Sequence, residues 1–435
     1  MFSELKPHES YRGSGTPWLP RLPSHWASPR LKTVLTEKNV RGFPDEPLLA
    51  ATQSRGVIRK ADYGSRTVTA QKDLDLLKLV EVGDFVISLR SFQGGIERAH
   101  ARGIISPAYT VLESREPADA DYLTLLFKSR PFVDALTLTV TGIREGQNIE
   151  YPRLARDPVP LPSRDEQAAI VKYLAHAHRR IDRAIAAKRR LSGLIDEQHQ
   201  ALTRRLLTST SDGDSTGWRR VSAGRLCKIS TGVEDSGNAD PEGEYPFFVR
   251  GREILRARGF LMDTEAVMTP GDGQGGVGKV FHYFNGKFQA HQRVYIFSDF
   301  DGVDGRFFYW YLSTHFRRFA LSQSNTVTME SLRLPVLSSF PIELPSLSEQ
   351  RDIVNRIEAE AVRADAARSA VLREIGLLRE FRTRLTSDVV TGQVDVRHIS
   401  ATLPDLAPDE VTADVGGMDD DLVDEAAELL EDVDA

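Results

Sequence analysis

A chain of 435 residues with 40% hydrophobic and 27% charged side chains suits a soluble protein of about two to four domains. No run of about 18 apolar residues occurs, so no membrane-spanning helix is expected, and the polar opening MFSELKPHESYRGSG lacks the apolar core of a secretory signal. The single cysteine, Cys227, excludes an internal disulfide and a cysteine-based zinc site, and it fits a reducing cytoplasm.

The net charge of −6 hides a division. Residues 401–435 carry 13 Asp and Glu and no Lys or Arg, which leaves 49 acidic against 56 basic residues in the body, a balance of +7. Such an acidic, aromatic-poor tail is predicted to be disordered, apart from a short helix that Asp424 to Leu430 could form on a partner. The mildly basic body is compatible with nucleic acid.

In chain order, Trp26 in LPSHWASPRL marks the start of a first unit. The basic stretch TQSRGVIRKADYGSR follows, from Thr52 to Arg66. A short apolar strand then leads from Asp84 into a loop ending Gln93-Gly94-Gly95. IISPAYTVLES (Ile104 to Ser114) reads as a strand and YLTLLFKSRPFVDAL (Tyr122 to Leu136) as a helix.

LPSRDEQ, Leu161 to Gln167, opens a long helix. Ser-x-x-Glu is a capping box, in which Ser163 would cap the helix and Glu166 would return the bond. From Asp165 to about Leu207 there is no proline, and Val171, Leu174, Ile181, Ile185, Ile195, Leu202 and Leu206 form a narrow apolar seam. His178, Lys188, Ser192 and His199 interrupt it. The Ser/Asp/Gly run from Thr208 to Gly217 reads as a linker.

The pattern then repeats. Trp218 marks a second start, and VRGREILRARG (Val249 to Gly259) is again basic. An apolar strand from Ala266 runs into a loop with Gln274-Gly275-Gly276, inside GDGQGGVGKV. From Gly273 that stretch reads G-x-x-x-x-G-K, like a phosphate-binding loop. Such a loop needs Ser or Thr after the lysine for magnesium, and it opens a helix. Val280 follows Lys279 here, and VFHYFNGKFQAHQRVYIF favours strands, with Asn285-Gly286 predicted to turn a hairpin. Nucleotide hydrolysis is therefore set aside. AHQRVYIFS (Ala290 to Ser298) reads as a strand and FFYWYLSTHFRRFAL (Phe307 to Leu321) as a helix.

LPSLSEQ, Leu344 to Gln350, matches LPSRDEQ at five of seven positions, 183 residues on. A second long helix runs from about Ser348 to Val390, striped by Ile357, Ala364, Val371, Leu378 and Leu385 and by Val354, Ala361, Ile375 and Val389. Helices of this length reach about 60 Å each and outrun a small domain, so they are expected to pair with each other. The fold class read from this order is α+β: two homologous α/β domains separated by two long antiparallel helices in a coiled coil. The boundaries are 1–160 and 211–342 for the domains, 161–210 and 343–397 for the helices, and 398–435 for the tail.

This layout resembles the specificity subunit of type I restriction–modification systems. The resemblance is carried by the two LPS-x-x-EQ starts, the paired glycine loops, the run LRSFQGGIERAHARGIISPAYTVL and the closing VTGQVDVR at Val390 to Arg397. It implies two target recognition domains, each reading one half of a split double-stranded DNA site, with the helices fixing the gap. It also implies two modification (adenine methyltransferase) subunits as partners, with restriction (translocase/endonuclease) subunits able to join. S-adenosylmethionine would belong to the modification subunits, and this chain would hold no cofactor and no metal. A coiled-coil scaffold that does not read DNA is the alternative.

The residues expected to meet DNA are, in the first unit, Arg55, Arg59, Lys60, Arg66, Arg90, Ser91, Gln93 and Arg98. In the second they are Arg250, Arg252, Gln274, Lys279, Lys287, His291, Gln292 and Arg293. Arg and Gln can pair with guanine and adenine edges, although half or more of such contacts go to phosphate. Gln93 and Gln274 recur in both halves, which suits holding a loop better than discriminating bases. Catalytic chemistry is not found: there is no Asn/Asp-Pro-Pro-Tyr/Phe tetrad, no histidine near Cys227, and no acidic spacing that argues for metal.

Overall fold

The computed structural model describes residues 5–63, 73–88, 91–115, 118–137, 140–141, 148–149, 151–208, 217–272, 278–323 and 332–407. They belong to two compact units. One takes the chain up to Lys188 and resumes at Arg373; the other runs from Arg189 to Leu372. Among the described residues no helix is long and apolar enough to cross a membrane.

In the first unit, β1 (Tyr11–Thr16) and β2 (Leu19–Pro23) form a hairpin. A four-stranded sheet follows in the order β3 (Leu35–Lys38), β10 (Thr110–Ser114), β7 (Phe85–Ile87) and β8 (Glu97–Arg98). The pairs β4 (Leu49–Thr52) with β5 (Gly56–Arg59), and β6 (Lys78–Val80) with β9 (Gly103–Ile105), flank it. The predicted strand from Ile104 to Ser114 is thus two strands in different sheets. The predicted helix from Tyr122 to Leu136 is also two, α1 (Ala120–Phe127) and α2 (Arg130–Thr137). Pro131 explains the break: it lacks the N–H that a continuing helix needs and is tolerated only in a first turn.

In the second unit, β11 (Arg219–Ser222) precedes a six-stranded sheet built from β12 (Lys228–Thr231), β13 (Tyr245–Phe248), β14 (Ile254–Ala257), β15 (Met262–Pro270), β16 (His282–Ala290) and β17 (Val294–Ser298). Its order is β12-β17-β15-β16-β13-β14. Asn285-Gly286 does not turn a hairpin. It lies mid-strand, with Asn285 opposite Glu265 and Gly286 opposite Thr264. Residues 271–281 link β15 to β16. Seven cross-strand pairs hold that register, and together they outweigh a two-residue turn preference. Helix α4 (Gly305–Ser322) is capped by Asp304, whose carboxylate accepts from the amides of Arg306 and Phe307. Its face of Phe307, Phe308, Tyr311, Leu312, Phe316 and Ala320 is buried, at the spacing of an amphipathic helix.

The long helices are α3 (Arg164–Leu206) and α5 (Leu347–Val390), with β18 (Pro341–Leu344) leading into the second. Ser163 and Ser346 cap them as expected, each Oγ accepting an amide at 3.3 Å, from Glu166 and Glu349. The glutamate side chains do not complete the box. Glu166 bonds His25 and Glu349 bonds the Trp218 indole, because those donors reach each carboxylate from the domain packed beside it.

Within the first unit the start of α3 and the end of α5 lie side by side and antiparallel. Asp182 pairs with Arg382 at 2.9 Å, and Lys188 pairs with Glu374. Ile181, Ile185, Ile375, Leu385 and Val389 are buried there. His178, one of the polar interruptions, is buried and bonds Thr386 at 2.9 Å. Burial, with the charge of Arg382 behind it, pushes the His178 pKa down to about 3. In the second unit Asp196 pairs with Arg368 at 3.2 Å, and Val354, Ile357 and Val371 are buried.

The predicted tail begins too early at 398. Helix α6 (Arg397–Thr402) folds onto the first unit and buries Ile399, whose apolar side chain joins Val396 and Val390 in the core. Residues 408–435, including the helix expected from Asp424 to Leu430, lie outside the described residues.

Candidate nucleic-acid interface

Each domain hangs on its long helix through the glutamine of LPS-x-x-EQ. Gln167 is fully buried; its Oε1 accepts from the Asp119 amide at 2.7 Å and its Nε2 donates to the Pro162 carbonyl at 2.9 Å. Gln350, equally buried, accepts from the Asp304 amide at 2.8 Å and donates to the Pro345 carbonyl at 2.9 Å. Asp119 and Asp304 are the N-caps of α1 and α4. One primary amide therefore joins a domain helix to a long helix in both copies. The sequence carries the shared EQ in both copies, but local capping chemistry gives a role only to its glutamate.

In the second unit the residues at the mouth of the glycine loop converge. Asp272, first after Gly271, pairs with Arg293, and Arg250 lies 3.9 Å from its other oxygen. Both guanidinium groups stay half or more exposed. Gln292 Nε2 donates to Asp235 at 3.3 Å. His291 is buried and accepts the Arg293 amide at Nδ1, at 3.0 Å. Burial foremost, then the charge of Arg250, lowers its pKa, so the ring is a neutral prop. Gly271 must be glycine: a Cβ there would lie 2.8 Å from the Tyr295 ring and 3.0 Å from the Arg293 carbonyl. Arg252 and Lys279 are exposed nearby in sequence, and Lys287 covers the Phe260 ring at 4.9 Å. Gln274 lies outside the described residues.

The first unit is arranged differently. Arg55 is exposed in the β4–β5 turn and Arg59 at the far end of β5, opposite Leu49, while Lys60 is half-buried. Gly56 closes that turn at φ +68°, with room for no side chain because the Arg98 carbonyl would sit 2.5 Å from a Cβ. Arg98 itself is mostly covered and paired with Asp121. Ser91 is buried, its Oγ accepting from the Ser88 amide at 2.9 Å, so it shapes the loop from within. Arg66 and Arg90 lie outside the described residues, as does the side chain of Gln93. The acids that hold these side chains, Asp272 beside Arg250 and Arg293 and Asp235 beside Gln292, are not singled out by the sequence. The signal Asp272 offers is a lone acid among glycines, ahead of a basic strand end.

Residues 216–359 match the family model for the type I restriction modification DNA specificity domain. A curated relative, the type I restriction enzyme EcoDI specificity subunit of Escherichia coli, is 27% identical over 177 residues. That match spans 41% of this chain and 38% of the relative. The chain is thus similar to type I restriction–modification specificity subunits. Solved structures share the fold of this chain. A chain from work on complex assembly and conformational transition of the type I R-M system aligns at a TM-score of 0.64, 17% identity, over 86% of this chain and 99% of its own. The HsdS subunit from Thermoanaerobacter tengcongensis aligns at 0.50, also 17% identical, over 86% and 98%.

Proposed function

We propose that this chain is the specificity subunit, the non-catalytic DNA reader, of a type I complex, with each unit reading one half of a bipartite site. The twofold Gln-latched layout carries this reading: two unlike heads, each fixed to a long helix by the same joint, can read two different short sequences. The paired helices set the gap, because B-DNA turns once in about 34 Å and a change of spacer rotates one head about the duplex. Linking two weak contacts raises affinity through effective concentration. The Arg250–Asp272–Arg293 cluster supports contact in the second half-site. The modification subunits, with their S-adenosylmethionine, dock on the helices. Leu191 and Leu194 on α3, and Val362, Leu372, Leu377 and Phe381 on α5, are exposed apolar residues suited to such partners. Cytoplasmic residence follows from a DNA partner.

The test is to map methylated adenines in a host expressing this chain with its modification subunit. The expected result is one motif made of two short halves and a fixed gap; a single contiguous motif, or none, overturns the reading.

A further inference from the structure

We propose that His8, His25 and Glu166 bind one divalent transition-metal ion, zinc by donor chemistry, as a clamp in the first unit. No spacing in the sequence suggests it, since the three residues come from the N-terminal segment, the turn after β2 and the start of α3. The fold brings one donor atom of each within 4.8 Å of the others. His25 Nε2 and Glu166 Oε2 already stand 3.0 Å apart. A tetrahedral ion with ligands at about 2.0–2.1 Å separates its donors by about 3.3 Å, so this pair needs little adjustment and His8 must close in.

His8 is the second observation. It is buried, at 5% exposure, and neither ring nitrogen has a hydrogen-bond partner. A buried polar ring left unpaired is costly, and native structures rarely keep one without a role. The ring is held by Tyr11 and Trp26, each edge-on, and lies 5.4 Å from the His25 ring. Asp395 sits 3.8 Å from His8 Nδ1, where an outer carboxylate orients a ligating imidazole and leaves the other nitrogen for the ion. Arg397 is bound mainly to Asp395 and reaches only the outer oxygen of Glu166, at 3.8 Å. His25 is 44% exposed, which provides the path from solvent.

The second copy of the fold sharpens the case. There the equivalent glutamate, Glu349, accepts the Trp218 indole N–H at 3.0 Å. In the first copy Trp26 Nε1 is buried without a partner, and Glu166 faces two histidines instead. The glutamate has left its indole for a histidine pair.

The experiment is a cobalt(II) titration of the tag-free full-length chain after chelator dialysis, repeated with zinc under thermal melting. One equivalent of cobalt should bind with the strong visible absorption of a tetrahedral site, and zinc should raise the melting temperature until chelator is added. His25→Gln, at a partly exposed position, should fold and lose the absorption; His8→Gln should do the same. Asp395→Asn should weaken binding about 10–100-fold. Absence of saturable binding at micromolar metal overturns the proposal, and so does stoichiometric binding undiminished by His25→Gln.

Discussion

The two helix starts keep the same glutamine and use the neighbouring glutamate differently. Gln167 and Gln350 make matching bonds to an N-cap amide and a proline carbonyl, while Glu166 faces histidines and Glu349 an indole. What joins a head to its helix is invariant between the copies; what surrounds the joint has diverged. The same contrast runs further along the helices. His178 and Thr386 bond each other in the first unit. Displaced by 183 residues, their counterparts are Ala361 and Thr203, and the buried Thr203 hydroxyl has no partner. A duplicated scaffold has kept its joints and lost a polar pair where only one copy can complete it.

The largest effect expected is at the joint. Gln167→Ala or Gln350→Ala strands a buried amide and a buried carbonyl, each costing about 1–3 kcal/mol. Each variant should lose roughly 3 kcal/mol in denaturant unfolding, with hydrogen exchange accelerated at Asp119 or Asp304 in its own unit alone. Equal loss of protection in both units would break the picture of two like, local joints.

Next come the arginines. Arg293→Ala should weaken DNA binding by about 1–3 kcal/mol, read as lost discrimination or lost affinity in the second half-site only. Arg98→Ala, which removes an ion pair to Asp121, should cost less affinity in the first. A binding titration across salt concentrations separates phosphate from base contacts: a phosphate contact lowers the salt slope by about one.

Thr386→Val should destabilise by about 1–3 kcal/mol, since it leaves the buried His178 nitrogen without its partner. Thr203→Val should be near neutral, because that hydroxyl has nothing to lose. Similar costs at both positions would erase the asymmetry.

The smallest effect near neutrality is the pH response of His178. Its folded pKa, about 3, lies below the ordinary 6.5, so the unfolded chain takes up a proton first as pH falls. Its contribution is whole above about pH 6.5 and is lost below it, by up to about 1.4 kcal/mol per pH unit. His178→Gln should flatten the stability profile between pH 6.5 and 5; an unchanged slope would show that the ring titrates freely.

Much of this architecture was legible because long helices announce themselves: a Ser cap, a proline-free run and an apolar stripe are local signals that burial then confirms at Val171, Ile181, Val371 and Leu385. The phosphate-loop reading failed for an equally local reason, since Val280 leads into a strand. Pairing partners were the hidden part. Asn285-Gly286 carries a turn signal that a nine-residue strand overrode, and nothing near Gln350 in sequence pointed to Asp304. At the candidate interface the arginines stood out by type, whereas their exposure depends on which acids the fold sets beside them. Asp272 leaves Arg293 outward, and Asp121 helps cover Arg98.

In the first unit the two ends of the described chain are sewn together. Lys6 bridges Asp395, the Tyr11 hydroxyl donates to the Gln393 carbonyl, and Val396 and Ile399 share a core with Leu22 and Trp26. Among the described residues, the segments near Lys6 and Asp395 thus almost close a ring. Joining the chain before Lys6 to the chain after α6 through a flexible peptide, and opening the polypeptide between 208 and 217 instead, should yield a circular permutant that assembles the same head, the same joints and the same helices.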